Sequence, residues 1–410
     1  MFYLRIICKN ITINGKKSLI VYVINVLVAI FLFLYINSIR INENQVAHLP
    51  DAIKVSARIS NLTGSQSVGM LINESVIKAL DDSDMVEDLL YTVRLAANFA
   101  PETPEEERSL KNISILGLNT LKAIPSIYES SLSLPMSDTQ EVLNSNKPYI
   151  IVQDSFLSSH NLEIGDIIDL SMYSFVHNES HETVSYSKAG NESMKIVGSF
   201  IVTDMQSGED ILPDIICSAS WVRETMHKYN AKLYADSANF YISDPFNLNS
   251  FKADMSNLGL LPVNPKADSQ SVSGIALSIN DEVFIRTAEG LLRNLTIMRL
   301  FLPFMFIFIA FISYIVSYLL ISYRQSEIAI LRSLGVSQAA CEFLYTIEIA
   351  VIALFGCVTG AIINTFLSDS VRIGVGAIVI ATFFVSFICG AYFTVRTLSR
   401  FSVLRVLTKT

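Results

Sequence analysis

The stretch Tyr323-Arg-Gln-Ser-Glu-Ile-Ala-Ile-Leu-Arg-Ser-Leu-Gly-Val-Ser337 lies between two long apolar runs, and its reading decides the architecture. Glu327 with Arg324 and Leu331, and Ile328 with Leu331 and Arg332, fall at i±3 and i±4 spacing, which predicts a short amphipathic helix. Gly335 is placed to end that helix in a left-handed conformation. A charged helix joining two membrane spans offers a face to a partner. On spacing alone it is equally an ordinary helix end with snorkelling charges.

Working outward, the flanking runs cover 300–322 and 343–367, and two more cover 18–40 and 374–393. Each is close to the ~20 residues that cross a hydrocarbon core. The composition agrees, with 51% hydrophobic and 17% charged residues in 410, where soluble domains carry about a quarter charged. The first run, Leu19 to Ile36, is interrupted only by Asn25. It is too long for a signal-peptide core and leads into Asn37-Ser-Ile-Arg rather than a small-x-small cleavage site. Residues 368–373 form a short loop between the last two spans.

Lysine and arginine near the spans set the orientation. Arg5, Lys9, Lys16 and Lys17 precede the first span, Arg324 and Arg332 lie in 323–342, and Arg396, Arg400, Arg405 and Lys409 lie in the basic tail 394–410. Against them the 368–373 loop has only Arg372. Both termini and the 323–342 loop are therefore expected in the cytoplasm, with residues 41–299 outside a cell membrane. That outer region holds 34 acidic and 18 basic residues, a balance of −16 within a whole-chain charge of −8. The whole-chain charge of −8 argues against nucleic acid as a partner. Residues 1–17 carry Tyr3, Ile7 and Ile11 at helical spacing opposite Arg5, Lys9, Thr12 and Lys16, which predicts a helix lying in the inner interface.

The outer region has a mixed pattern. Strands are expected at Ile53–Ile59, Tyr149–Gln153, Ile167–Leu170, Met194–Val202 with a glycine kink, and Ala238–Ser243. Val76 to Phe99 reads as a helix then a strand, Asp154 to His160 as a short helix, and Asn247 to Leu258 as a helix stopped by Gly259. Gly165-Asp166 makes a turn. This is an α+β domain with a weakly patterned insert over 100–145. Glu102-Thr-Pro-Glu-Glu-Glu-Arg reads as a solvated loop. His177 and His181 have the spacing of a helical metal pair, but Ser and Asn around them favour a polar hairpin tip, and no metal site is assigned. His48, His160 and His227 stand alone. Five cysteines, of which Cys217 alone lies in the outer region, exclude a disulfide framework. No nucleophile with a base and an orienter is visible, so no catalytic residue is assigned. Six Asn-x-Ser/Thr sequons are what an Asn- and Ser-rich region produces by chance.

Within the spans, Gly356-Cys-Val-Thr-Gly360 is a GxxxG pattern that permits close helix contact, either inside the chain or between chains. Glu348 lies near the cytoplasmic end of its span, within reach of polar surroundings or of Arg332. Asn25 and Asn364 are expected to hydrogen-bond between helices.

The segment 323–337 resembles the one after the second span of FtsX/MacB-type ABC transporter permeases, roughly R-x-x-E-I-(G/A)-I-L-(R/K)-(A/S)-L-G-A. Arg324, Glu327, Ile328, Ile330, Leu331, Arg332, Leu334 and Gly335 fit, with Ala329 where glycine is common. Asn14-Gly-Lys-Lys-Ser-Leu resembles the family's basic lead-in, and Tyr149 to Leu170 its outer strand, short helix, Leu-x-x-Gly-Asp and strand. Ser402-Val-Leu-Arg405 resembles the C-terminal Pro-x-x-x-Leu-Arg without its proline. Residues 100–145 and 171–192 match nothing in that pattern.

The resemblance implies an α-helical membrane protein with four transmembrane helices and an α+β extracytoplasmic domain, the MacB-like periplasmic core, inserted between helices 1 and 2. It implies that Arg324, Glu327, Ile328, Leu331, Arg332 and Gly335 form a coupling helix for an ABC ATPase, present in two copies beside a second permease chain, identical or paralogous. The chain has no GxxxxGK[ST], so Mg-ATP belongs to the partner and no cofactor to this chain. The implied role is a non-catalytic permease subunit that moves its outer domain for export of, or resistance to, an amphiphilic peptide, antibiotic or lipid. The alternative is an FtsX-like mechanotransmitter that activates an extracellular cell-wall hydrolase without transport. A receptor without an ATPase leaves 324–335 unexplained.

Overall fold

The structure, a computed structural model, describes residues 15–103, 112–124, 131–134, 139–178, 183–201, 212–266, 275–367 and 373–398. Most of the expected interface helix, the 368–373 loop and the C-terminal tail lie outside these residues, as does His181. Two compact units form: 1–49 with 287–410, and 50–286.

The chain starts with α1 (Gly15–Ala47) and one turn of helix, α2 (Leu49–Ala52). Unit 50–286 then runs β1 (Val55–Asn61), β2 (Ile72–Asn73), α3 (Glu74–Asp81), β3 (Val86–Phe99), β4 (Ile113–Leu118), β5 (Leu132–Ser133), α4 (Thr139–Leu143), β6 (Tyr149–Gln153) and α5 (Asp154–His160). It continues with β7 (Ile167–Asn178), β8 (Thr183–Phe200), β9 (Ile215–Ser218), α6 (Ala219–Lys228), β10 (Tyr234–Ala235), β11 (Ser237–Ile242), α7 (Leu248–Asn257), β12 (Leu261–Pro262) and β13 (Ile275–Asn280). Four helices complete the chain: α8 (Glu282–Ser322), α9 (Gln325–Ser333), α10 (Gln338–Leu367) and α11 (Ile373–Leu398).

Three helices, α1, α8 and α10, are long and apolar enough to cross a membrane; the apolar stretch of α11, Phe383–Thr397, is shorter. A multi-pass membrane chain follows. Two helices overrun their apolar spans, α1 reaching Ala47 and α8 starting at Glu282. Their polar ends answer one another: Arg299 donates to Glu43 at 2.6 Å, Asn294 to Asn42 at 3.3 Å, and the Tyr35 hydroxyl to the Met298 carbonyl at 2.8 Å. Hydropathy alone stops where these polar residues begin.

Small residues set the helix contacts. Gly356 and Gly360 of α10 face α1, where an added Cβ would lie 2.7 Å from Asn25 Cβ and 2.8 Å from Ala29 Cβ respectively. The GxxxG pattern therefore serves a contact inside the chain. The Tyr22 hydroxyl bonds Thr359 Oγ1 across the same interface at 2.8 Å. Asn25 instead donates within its own helix to Val21 O, and Asn364 is buried with no hydrogen-bond partner among the described residues. On α11, Gly390 sits over the Ala310 carbonyl and Ser313 of α8, and Ser313 donates to Phe387 O at 2.6 Å.

In unit 50–286, alternation of apolar residues builds the strands, and their pairing closes on itself. β3 pairs β4, β4 pairs β9, β9 pairs β6, β6 pairs β8, β8 pairs β7, and β7 returns to β3. The result is a six-stranded barrel lined by Leu116, Ile151, Ile216 and their neighbours. From the opposite end of β3, an open sheet continues through β11, β1, β13 and β12. Thus β3 is a member of both. Its residues 86–92 pair β11 and its residues 96–99 pair β7, on the same edge, while β4 lies on the other.

Helices cover the faces. α6 begins at Ser218, whose hydroxyl caps Trp221 N, and lies on β4, with Val222 against Gly117. On the open sheet, Phe251 of α7 meets Phe240 of β11 with ring centroids 5.9 Å apart; burying such rings stabilises by about 2–3 kcal/mol each. The expected turns appear, with Gly165 at φ +111° and Gly259 at φ +90°. Two bulges shape the barrel, one in β8 at Gly198, packed against Leu134, and one in β7–β8 between Met172 and Tyr173.

Candidate functional site

The 323–337 segment folds as α9 with a closed C-terminus. Val336 N donates to Leu331 O at 3.2 Å and Gly335 N to Arg332 O at 3.1 Å, with Gly335 at φ +93°. This is the Schellman arrangement, which a Cβ at Gly335 would strain. At the other end Arg324 N–H donates to Ile321 O, so only one turn of chain separates α8 from α9.

The structure distributes the six residues expected to couple to an ATPase over two faces. Ile328 and Leu331 pack against the helical core, and Ala329 is buried with them. Arg324 is buried too, 2% exposed, and its guanidinium donates to Glu348 at 2.5 Å; Glu348 is wholly buried. Glu348 therefore pairs with Arg324, where the sequence offered polar surroundings or Arg332. Two charges taken out of water hold each other strongly once neither can be solvated. The pair ties the α8–α9 junction to α10, and Arg324 is a positioning residue.

Glu327 and Gly335 are exposed and Arg332 is half-buried. Ile330 of α9 is exposed as well, and so are Tyr323, Leu334 and Val336, which flank the helix. Leu334 is 76% and Tyr323 64% exposed. The missed signal was the second apolar series, Tyr323, Ile330 and Leu334, beside the series Ile328 and Leu331 that turns inward.

In unit 50–286 the remaining candidates resolve as follows. His177 lies in β7, paired with Val184 of β8, so it sits on a strand and not on a helix, and His181 lies outside the described residues. Among the described residues no group of His, Cys, Asp and Glu is arranged to hold a metal. His160 stacks on Phe156 and Phe99, at 4.2 and 5.2 Å between centroids, and His227 bonds Glu74 at 3.0 Å. Of the acidic run 102–108 only Glu102 and Thr103 are described, and Glu102 is not a solvated side chain. Its side chain is 1% exposed and accepts from Tyr173 at 2.5 Å, Asn98 at 2.7 Å and Lys188 at 3.1 Å. Burial of Cys217 pushes its thiol far above the ordinary range, leaving it inert.

No protein-family model matches the chain, and no curated protein matches it. Among solved structures it is similar to one described as "a domain of a putative Permease protein from Porphyromonas gingivalis". The identity is 13% and the TM-score 0.28, covering 55% of this chain and 86% of that one. At that score nothing in the functional reading rests on the likeness.

Proposed function

We propose that the chain is the permease subunit of an ABC transporter of the FtsX/MacB type. In this reading a separate ATPase hydrolyses Mg-ATP, and its motion enters through α9 and moves unit 50–286 on the outer side of the cell membrane. The cargo class is amphiphilic, for export or resistance. Two permease chains and two ATPase chains complete the machine.

The observation that supports the reading best is the build of α9. It is locked at both ends, by the Arg324–Glu348 pair and the Gly335 cap, yet leaves Tyr323, Glu327, Ile330 and Leu334 exposed. A short helix that is rigidly mounted and apolar outward transmits a push without bending. The long helical extensions of α1 and α8, bonded to each other, suit the same task.

The test is recovery of the detergent-solubilised chain from its native membrane, with identification of the subunits that come with it. An ATPase that copurifies, and is lost from Glu327→Lys and Leu334→Asp while the folded chain remains, supports the reading. Absence of any ATPase across several mild detergents overturns it.

A further inference from the structure

The edge of β3 that passes from β11 to β7 is crossed by neither strand at Arg94 and Leu95. β11 pairs up to Thr92, and before Ser237 the chain turns aside so that β10 can pair β2. β7 pairs only as far as Tyr173 and then leaves with β8, bent by the bulge at that point. Between the diverging strands opens a cleft of about 330 Å³, within the usual size of small-molecule sites.

Its walls are apolar, formed by Met70, Leu71, Leu95, Phe175, Leu233 and Tyr234. Arg94 and Asp236 also line it, but their charges are spent on each other. Arg94 Nε and Nη2 donate to the two Asp236 oxygens at 3.0 and 3.3 Å. The one other charged lining residue, Lys232, is exposed at the rim, so a charged ligand would find no buried counter-charge inside the cleft, and burying it there would be unfavourable. One polar group is different. Ser174 lines the cleft, is 1% exposed, and its hydroxyl has no hydrogen-bond partner among the described residues. Buried hydroxyls are normally satisfied, and this one can donate or accept.

We propose that the cleft binds a neutral amphiphile, an apolar body carrying a hydroxyl or amide, whose polar group meets the Ser174 hydroxyl. The apolar walls take the body, and Lys232, exposed at the rim, marks the solvent side. This deepens the transporter reading and rests on it only for the amphiphilic class of cargo. Binding needs no ATPase, so the two ideas fail separately.

The experiment uses the full chain in lipid nanodiscs without any ATPase. The probe is a decanamide bearing a diazirine, photolysed and mapped by peptide mass spectrometry. Adducts on Met70, Phe175 or Leu233 are expected, falling at least tenfold in Ser174→Trp. Ser174→Ala should weaken half-saturation about 5-fold, the loss of one hydrogen bond. Ser158→Trp, on exposed α5, should change nothing. Should Ser174→Trp not fold, Leu233→Arg blocks the same wall. Adducts confined to the membrane helices, or cleft labelling indifferent to both blocking variants, overturn the site. Stronger labelling by the matching decanoate anion overturns the neutral ligand. Cleft labelling in a chain from whose native membrane no ATPase is recovered leaves this site standing and removes the transporter.

Discussion

Glu102 carries the first titratable consequence. Burial raises its pKa, but hydrogen bonds from Tyr173, Asn98 and Lys188 outweigh burial and hold it below the ordinary glutamate range. A carboxylate with a depressed folded pKa contributes stability above its unfolded pKa, and loses it as pH falls through the folded value. Glu102→Gln should therefore destabilise at neutral pH by about 1–3 kcal/mol. Thermal melts should show the gap between variant and parent closing in acid; a constant gap would contradict this role. The Arg324–Glu348 pair sets a second expectation. Arg324→Met or Glu348→Leu alone should cost about 3–5 kcal/mol, and the double variant much less, because the cost lies in leaving one charge buried alone. A double-mutant cycle in detergent measures it. The chain order made a pairing of Glu348 with an arginine legible, but not which arginine. That choice depends on how α9 turns against α10, and no spacing along one helix encodes it.

At the level of elements, local signals read well. Glycines at Gly165, Gly259 and Gly335 stop or turn the chain where the sequence places them, because positive φ is a local demand. The strands β1, β3, β6 and β11 announce themselves by alternation. β4, β9 and β13 did not, and neither did the length of the β7–β8 hairpin. β4 and β9 are short apolar runs whose strand character comes from barrel closure. The outer half of the hairpin carries Ser185, Ser187 and Lys188, exposed and without an apolar face to betray a period. Gly335→Ala should destabilise the end of α9 by about 1–2 kcal/mol, and it should lower ATPase copurification without removing the chain from the membrane. Gly356→Leu should separate α1 from α10, because a Cβ at Gly356 already meets Asn25 Cβ at 2.7 Å, and should lower the melting temperature of the chain in detergent; an unchanged melt would contradict this contact.

For the whole molecule, multi-pass membrane residence is legible from the apolar runs, three of which form helices long enough to span; sidedness is a proposal that rests on the placement of arginine and lysine. Sidedness is checked directly. In a cysteine-free chain, a membrane-impermeant maleimide should label Ser158→Cys on intact cells and Ser333→Cys only after permeabilisation. The reverse pattern would invert the proposed orientation and take the outer cleft with it. What no pattern in the sequence conveyed is that β3 belongs to two sheets, since membership is decided by partners more than 70 residues away along the chain.

Beyond Tyr173 the β7–β8 hairpin rests on no third strand among the described residues, and its neck is pinned to Glu102 through Tyr173 and Lys188. Two-stranded ladders are marginal by themselves in water. Amide protons from Ser174 outward should therefore trade with deuterium far sooner than those of the barrel, whose release waits on larger openings. Phe175, a wall of the cleft, is carried on that fast-trading arm. The arm is thus a clock: whatever settles between it and β3 should slow its ticking, and the isotope record of a few peptides would tell an occupied molecule from an empty one.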